Sequence, residues 1–239
     1  MKNPLLCFID QPDRVRPLAL ALVGPNGSGK SSVANLLRLT NVRVGDTRFS
    51  GRLAIDEANG EILLPMVNPD EIAKAIRRNN PELDWDACNI QASRDAGRIR
   101  EMLANARFDF GFETVGSHQS KVEFLKQLKH AGYIIGILFI TTDNPKVNVD
   151  RVKERHRNGG HDVPPEKVMT RYERTMSLLP DYIRVADFLA VYDNSEDHEQ
   201  GDGEGPKLLL VKRGEDIAIT KQGRQSSWLM KHADRIMTQ

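Results

Sequence analysis

Residues 18–23 (LALALV) form an unbroken apolar run that passes directly into Gly24-Pro25-Asn26-Gly27-Ser28-Gly29-Lys30-Ser31. That string is a full match to G-x-x-x-x-G-K-[ST]. An apolar run of this length, closed by a glycine, suits a strand buried on both faces. The residues after it, 31–39, place Val33, Leu36 and Leu37 on one side of a helix. Strand, glycine loop and helix in that order make a phosphate cradle. The glycines let successive backbone N–H groups turn inward, and the helix N-terminus adds its partial positive charge. Residues Gly24, Pro25, Asn26, Gly27, Ser28, Gly29, Lys30, Ser31 and Ser32 are therefore the expected nucleotide contacts. Lys30 would reach the β- and γ-phosphates of ATP, and the Ser31 hydroxyl would hold Mg²⁺.

The rest of the chain repeats the alternation. Strands are expected over 62–67, 108–112, 133–140 and 188–192, with helices over 84–106, 118–131 and 145–157. Strands separated by helices imply a mostly parallel sheet with right-handed crossovers, hence an α/β fold in three layers. Two stretches break the rhythm. Residues 41–66 alternate apolar and polar with glycine turns, as an inserted β-ribbon would, early enough to border an acceptor site and bias substrate choice. Residues 197–239 hold an acidic, glycine-rich loop, a strand from Lys207 and a final helix from about Gln225, read as an edge hairpin with a covering helix. The expected organisation is one kinase-like domain over 1–239.

Composition narrows the class. With 39% hydrophobic and 28% charged residues, the chain can bury a core and is not a disordered tail. The 34 Lys+Arg nearly cancel 33 Asp+Glu, which argues against bulk attraction to nucleic acid or an anionic membrane. No apolar run reaches the length of a membrane span, and the N-terminal residues lack a signal-peptide core, so a cytoplasmic protein is expected. Two cysteines are too few for a disulfide framework or a thiolate zinc site.

A phosphate loop alone names no reaction. No guanine-reading N-K-x-D and no L-S-G-G-Q string occurs, and the apolar run at 133–140 ends in Thr141-Thr142-Asp143, not in the Asp-Glu pair of a water-activating ATPase. Kinases remain. A kinase needs a carboxylate to orient the acceptor hydroxyl and cations to offset charge on the moving phosphoryl. Asp70, after the run at 62–67, stands where a parallel-sheet site assembles, although an Asp there also suits a helix cap. Glu113 and Thr114 follow the next expected strand and point to the same crevice. Arg98, on the helix at 84–106, is a further candidate substrate contact, although a solvated charged face reads the same way there. Over 151–174, two arginine-bearing helices flank Gly159-Gly160-His161, as a lid closing on phosphates would; a salt-bridged helical hairpin would read the same way.

Taken together, GPNGSGKSS at 24–32, NPDEIA at 68–73, AGR at 96–98, FETVGS at 112–117, the R-V-x-x-R-x-x-x-G-G-H-x-V-P string at 151–164, RYER at 171–174 and YDNS at 192–195 resemble the zeta-toxin-like P-loop kinases, in their predicted-ATPase branch. The resemblance spans roughly 17–195. It implies a nucleoside-kinase type fold using ATP and Mg²⁺, with Asp70 as base, Glu113 and Thr114 on the substrate, and Arg155 and Arg171 as phosphate clamps, Arg151 less firmly so. It also implies UDP-N-acetylglucosamine as the phosphate acceptor and an antitoxin protein as partner. The GGH insertion, the NPDEI setting of Asp70 and the ribbon at 41–66 depart from the compact family core, and bear on the acceptor more than on phosphoryl transfer. Two other classes fit the motifs: an ATP-controlled switch or scaffold without transfer, and a polynucleotide 5′-end kinase.

Overall fold

The structure, a computed structural model, describes residues 16–32, 47–50, 53–56, 62–157, 163–196 and 205–231. Its centre is β1 (Leu18–Val23), all six residues of which are buried. Such a strand can only sit inside a sheet covered on both faces, and its parallel neighbours are β6 (Phe110–Thr114) and β7 (Ile134–Thr141). The seven-stranded sheet runs β10-β9-β8-β7-β1-β6-β5. Strands β5 (Met66–Val67), β6, β1, β7 and β8 (Phe188–Asp193) are parallel, so their C-terminal ends share one edge. Strands β9 (Lys207–Arg213) and β10 (Asp216–Ile219) close the other side as an antiparallel hairpin. This is the expected mostly parallel three-layer α/β architecture.

The helices follow their sequence signals. Helix α1 (Pro69–Asn79) packs as a hairpin with α2 (Trp85–Asn105), which Asp84 caps by accepting from the N–H of Ala87. Helix α3 (Gln119–His130) follows β6, and α4 (Pro145–Arg157), α5 (Pro165–Ser177) and α6 (Leu179–Val185) lie between β7 and β8. One core cluster joins Ala19, Ala21 and Val23 to Phe110, Phe112, Leu125, Phe139 and Tyr182; a second, on the opposite sheet face, joins Leu20, Leu22, Leu138 and Ile140. At roughly 1.5–3 kcal/mol for each fully buried large side chain, these two layers dominate stability.

Three expectations are corrected. The run at 62–67 is not one strand. Ile62–Leu63 (β4) pairs in a separate three-stranded ribbon with β3 (Leu53–Asp56) and β2 (Thr47–Ser50), whereas Met66–Val67 joins the main sheet. Pro65 between them has no N–H for a ladder, and its carbonyl instead accepts from Gly111 N at 2.8 Å. The strand expected at 108–112 starts two residues later, so Glu113 and Thr114 are its last residues and not a following turn. The C-terminal helix is preceded by α7 (Lys221–Gln225), capped by Thr220. The expected helix beyond Ser32, the parts of 41–66 outside these strands, Gly159-Gly160-His161 and most of the acidic loop at 197–204 lie outside the described residues.

Candidate active site

The phosphate loop leaves β1 at the sheet's C-terminal edge. Gly27 and Gly29 take φ of +77° and +83°, in the left-handed region that glycine alone enters freely. A Cβ on Gly29 would fall 2.1 Å from Nδ2 of Asn194, and one on Gly27 2.4 Å from the Asn148 carbonyl oxygen. The loop is thus shaped from outside by two asparagines. Asn194 donates to the Ser28 carbonyl at 2.9 Å, and Asn148 donates to the Asn26 carbonyl at 2.7 Å. Both carbonyls are held away from the cradle, which leaves the loop's N–H groups to face an anion.

Lys30 is buried, and its ammonium donates to the Gly24 and Pro25 carbonyls at 2.8 and 3.1 Å. Facing it is Glu113, with Oε1 3.9 Å from Lys30 Nζ and both side chains little exposed. The Ser31 hydroxyl reaches both Glu113 oxygens at 3.4 Å, and Asn68 donates to Glu113 Oε2 at 2.7 Å. Burial lowers the Lys30 pKa, against the opposing pull of Glu113 and Asp70. Burial likewise raises that of Glu113, against Lys30 and with the Asp70 charge. Two partly unfavourable charges held together are what an incoming ion or phosphate can relieve.

Asp70 is not the cap of its helix. Asn68 takes that place, accepting from the Asp70 N–H at 2.9 Å, which leaves the Asp70 carboxylate projecting from the first turn with 65% of the side chain exposed. Arg155 from α4 stands 4.0 Å from Asp70 Oδ2. Arg171 from α5 donates to Oδ1 of Asn26 in the phosphate loop at 3.2 Å. Burial lowers the Arg171 pKa while the Asp70 charge raises it, so Asp70 acts electrostatically on Lys30, Glu113 and Arg171 alike. The two arginine helices are joined by an apolar cluster of Val149, Val152, Val163 and Val168.

The structure therefore brings together Lys30, Ser31, Asp70, Glu113, Arg155 and Arg171, with the loop from Gly24 to Gly29. Ser32 continues the helix from Lys30 and is exposed. Thr114 makes a local turn, its Oγ1 accepting from Gly116 N at 3.2 Å, while its carbonyl accepts from Gly24 N. Arg98 is 78% exposed beside Asp95 on α2 and contacts none of the cluster. Arg151 is spent on the carbonyls of Asn194, Ser195 and Glu196, fastening α4 to the loop after β8. Sequence reasoning missed Asn148 and Asn194 as supports of the phosphate loop. The YDNS string at 192–195 marked the second, but no local spacing relates either to a loop more than a hundred residues away.

A magnesium nucleotide suits this donor set. Hydroxyl and carboxylate oxygens of Ser31 and Glu113 are the hard ligands Mg²⁺ takes, and Lys30 with the loop amides matches phosphate oxygens. Among the described residues no group of three His, Cys, Asp or Glu could hold a metal by itself.

A family model described as Zeta toxin matches residues 7–198. A solved structure of AvrRxo1-ORF1 with AvrRxo1-ORF2 and ATP aligns over 91% of this chain and 64% of its own, with TM-score 0.66 and 14% identity. The same complex with sulphate ions aligns over 91% and 65%, with TM-score 0.65 and 14% identity. This chain thus spans just under two thirds of the length of those proteins, and the likeness concerns the fold. A protein of Haemophilus influenzae is 26% identical over 126 residues, 53% of this chain and 87% of that one. With most of its length matched by the family model, the chain belongs to the zeta toxin family.

Proposed function

We propose that this protein is an ATP-dependent phosphotransferase that moves the γ-phosphate to a hydroxyl of a small molecule. The observation that carries the reading is the position of Asp70, a solvent-facing carboxylate beside Arg155 and within electrostatic reach of Lys30, Glu113 and Arg171. A switch or scaffold would have no need of an exposed carboxylate in that place.

Lys30 and the loop amides hold the β- and γ-phosphates, and Ser31 with Glu113 holds Mg²⁺, which when bound offsets charge building on the phosphate oxygens. Asp70 orients the acceptor hydroxyl and takes its proton. The acceptor oxygen forms a bond to the γ-phosphorus as the bond to the β-phosphate oxygen breaks, and ADP leaves. Arg155 and Arg171 approach from the two lid helices, where a planar guanidinium can grip two phosphate oxygens at once. In this reading Glu113 serves the metal; the family resemblance assigns it to the acceptor, and its placement against Lys30 and Ser31 supports the metal role. UDP-N-acetylglucosamine, implied by the family, is the first acceptor to try, and an antitoxin is the partner that the family implies.

The test uses purified protein with γ-labelled ATP, Mg²⁺ and a panel of UDP-sugars, nucleosides, NAD and a 5′-hydroxyl oligonucleotide, with Lys30→Ala and Asp70→Ala beside it. Label is expected on one small acceptor and on none with either variant. Full transfer by Asp70→Ala would overturn the base assignment. Label on the oligonucleotide alone would replace the small-molecule reading with that of an end kinase, and tight ATP binding without any transfer would favour a switch.

A further inference from the structure

We propose that Asn68 is a positioning residue: one end of its side-chain amide holds the Glu113 carboxylate for the metal, and the other sets the helix turn that presents Asp70. The inference rests on the phosphotransferase reading and adds to it a residue that acts through Glu113 and Asp70.

The backbone brings Asn68 to Glu113. Strand β5 is two residues long, and its ladder with β6 pairs Met66 with Gly111 and Val67 with Phe112. Asn68 and Glu113 follow those last partners, so they stand side by side on adjacent chains, about 5 Å apart across the sheet. Glu113 is in turn the register partner of Leu22 in β1, the strand that runs into the phosphate loop. Pro69 restricts the residue before it to extended backbone, and Asn68 has φ of −114° and ψ of 111°. The chain therefore enters α1 from a fixed direction.

Both ends of the Asn68 amide are used. Oδ1 accepts from the Asp70 N–H at 2.9 Å, which is the helix cap, and Nδ2 donates to Glu113 Oε2 at 2.7 Å. A cap needs only an oxygen, and Asp or Ser supplies one as well as Asn does. What asparagine adds is the donor, and it adds it in a buried place: Asn68 is 8% exposed and the Glu113 side chain 12%. An amide whose oxygen is committed to a backbone N–H can turn its nitrogen only the other way, so the cap itself aims the donor. The other contacts of Glu113 are longer, 3.9 Å from Oε1 to Lys30 Nζ and 3.4 Å from each oxygen to the Ser31 hydroxyl. The short bond from Asn68 is the one that fixes the carboxylate. Carboxylates that serve a metal depend on such outer partners for their orientation. One side chain thus ties the metal carboxylate to the turn that carries Asp70, beside an edge strand whose own ladder is only two residues long.

The experiment compares Asn68→Asp and Asn68→Ser with the wild-type full chain. Asp is isosteric and Ser is shorter; both can cap α1 and neither can make the amide donation to Glu113, and thermal melts show that each is folded. Binding of a non-hydrolysable ATP analogue is measured by calorimetry with Mg²⁺ and again in EDTA. With Mg²⁺ both variants should bind about 10- to 100-fold more weakly than the wild type, and in EDTA within about twofold of it. On a Glu113→Gln background neither should weaken binding with Mg²⁺ further, because Asn68 acts through that carboxylate. Wild-type or tighter binding with Mg²⁺ by the two variants, an equal loss in EDTA, or losses that simply add to that of Glu113→Gln would each overturn the proposal and leave Asn68 a helix cap. Asn68→Ala, which also frees the Asp70 turn, should have a lower kcat than Asn68→Ser; equal values would overturn the link to Asp70. A loss of binding confined to Mg²⁺, in a protein that labels no acceptor, would sink the phosphotransferase reading and leave Asn68 positioned on the metal carboxylate. Transfer that is unimpaired in both variants would do the reverse.

Discussion

Replacing Glu113 by glutamine tests whether this site is held together at a cost to stability. The Glu113 carboxylate lies 3.9 Å from the Lys30 ammonium, a distance at which opposite charges attract by about 4 kcal/mol in a medium of effective dielectric near 20. Against this stands the several kcal/mol needed to withdraw each ion from water. The raised Glu113 pKa says which wins: burial outweighs Lys30, so the ionised carboxylate is worse off folded than unfolded. A group whose folded pKa is raised supports folding below its unfolded pKa, and that support is lost as pH rises through the folded value. Glu113→Gln cannot lose it, and its amide oxygen still accepts from Asn68. The variant should match the wild type at pH 4 and exceed it at pH 7 by on the order of 1 kcal/mol, a Tm gain of about 2–4 °C. Thermal melts of the nucleotide-free proteins across pH 4 to 8 read this directly. A variant less stable at pH 7, or a gap that does not change with pH, would refute the reasoning. The same variant should bind ATP more weakly with Mg²⁺ than the wild type does, with little difference in EDTA, because the carboxylate serves the metal.

Gly29→Ala should abolish ATP binding in calorimetry, since its Cβ would meet Asn194 Nδ2 at 2.1 Å and its φ of +83° disfavours any side chain. Asn194→Ala should weaken ATP affinity about tenfold and lower Tm, the loss of one buried hydrogen bond at about 1–1.5 kcal/mol; unchanged affinity would show that the loop needs no support from β8. Arg171→Ala should lower kcat by at least about tenfold with a smaller change in the KM for ATP, and Arg171→Lys should restore little of it, since a point charge does not replace a planar fork; equal recovery by lysine would reduce the role of Arg171 to charge alone.

Periodicity and glycine placement carried the architecture. The buried run at 18–23, the phosphate-loop string and the strand–helix alternation are local facts, set by which residues exclude water and which permit left-handed backbone. They placed Lys30, Ser31 and Asp70 on the sheet edge without coordinates. The break at Pro65 was legible too, had the missing N–H been weighed against the apolar pattern across 62–67. Other features arise only when distant segments meet. Nothing near residue 113 in the chain says that Glu113 faces Lys30 across the β1–β6 register; alternation along a strand assigns faces but not partners. Asn148 and Asn194 grip the phosphate loop from more than a hundred residues away, and no local spacing encodes that. Arg100 meets the ring of Phe124, 24 positions further on, only because α2 and α3 pack on the same face of β6. Tertiary structure decided these pairings because electrostatics and hydrogen bonding act through space, whereas a sequence displays only order along the chain.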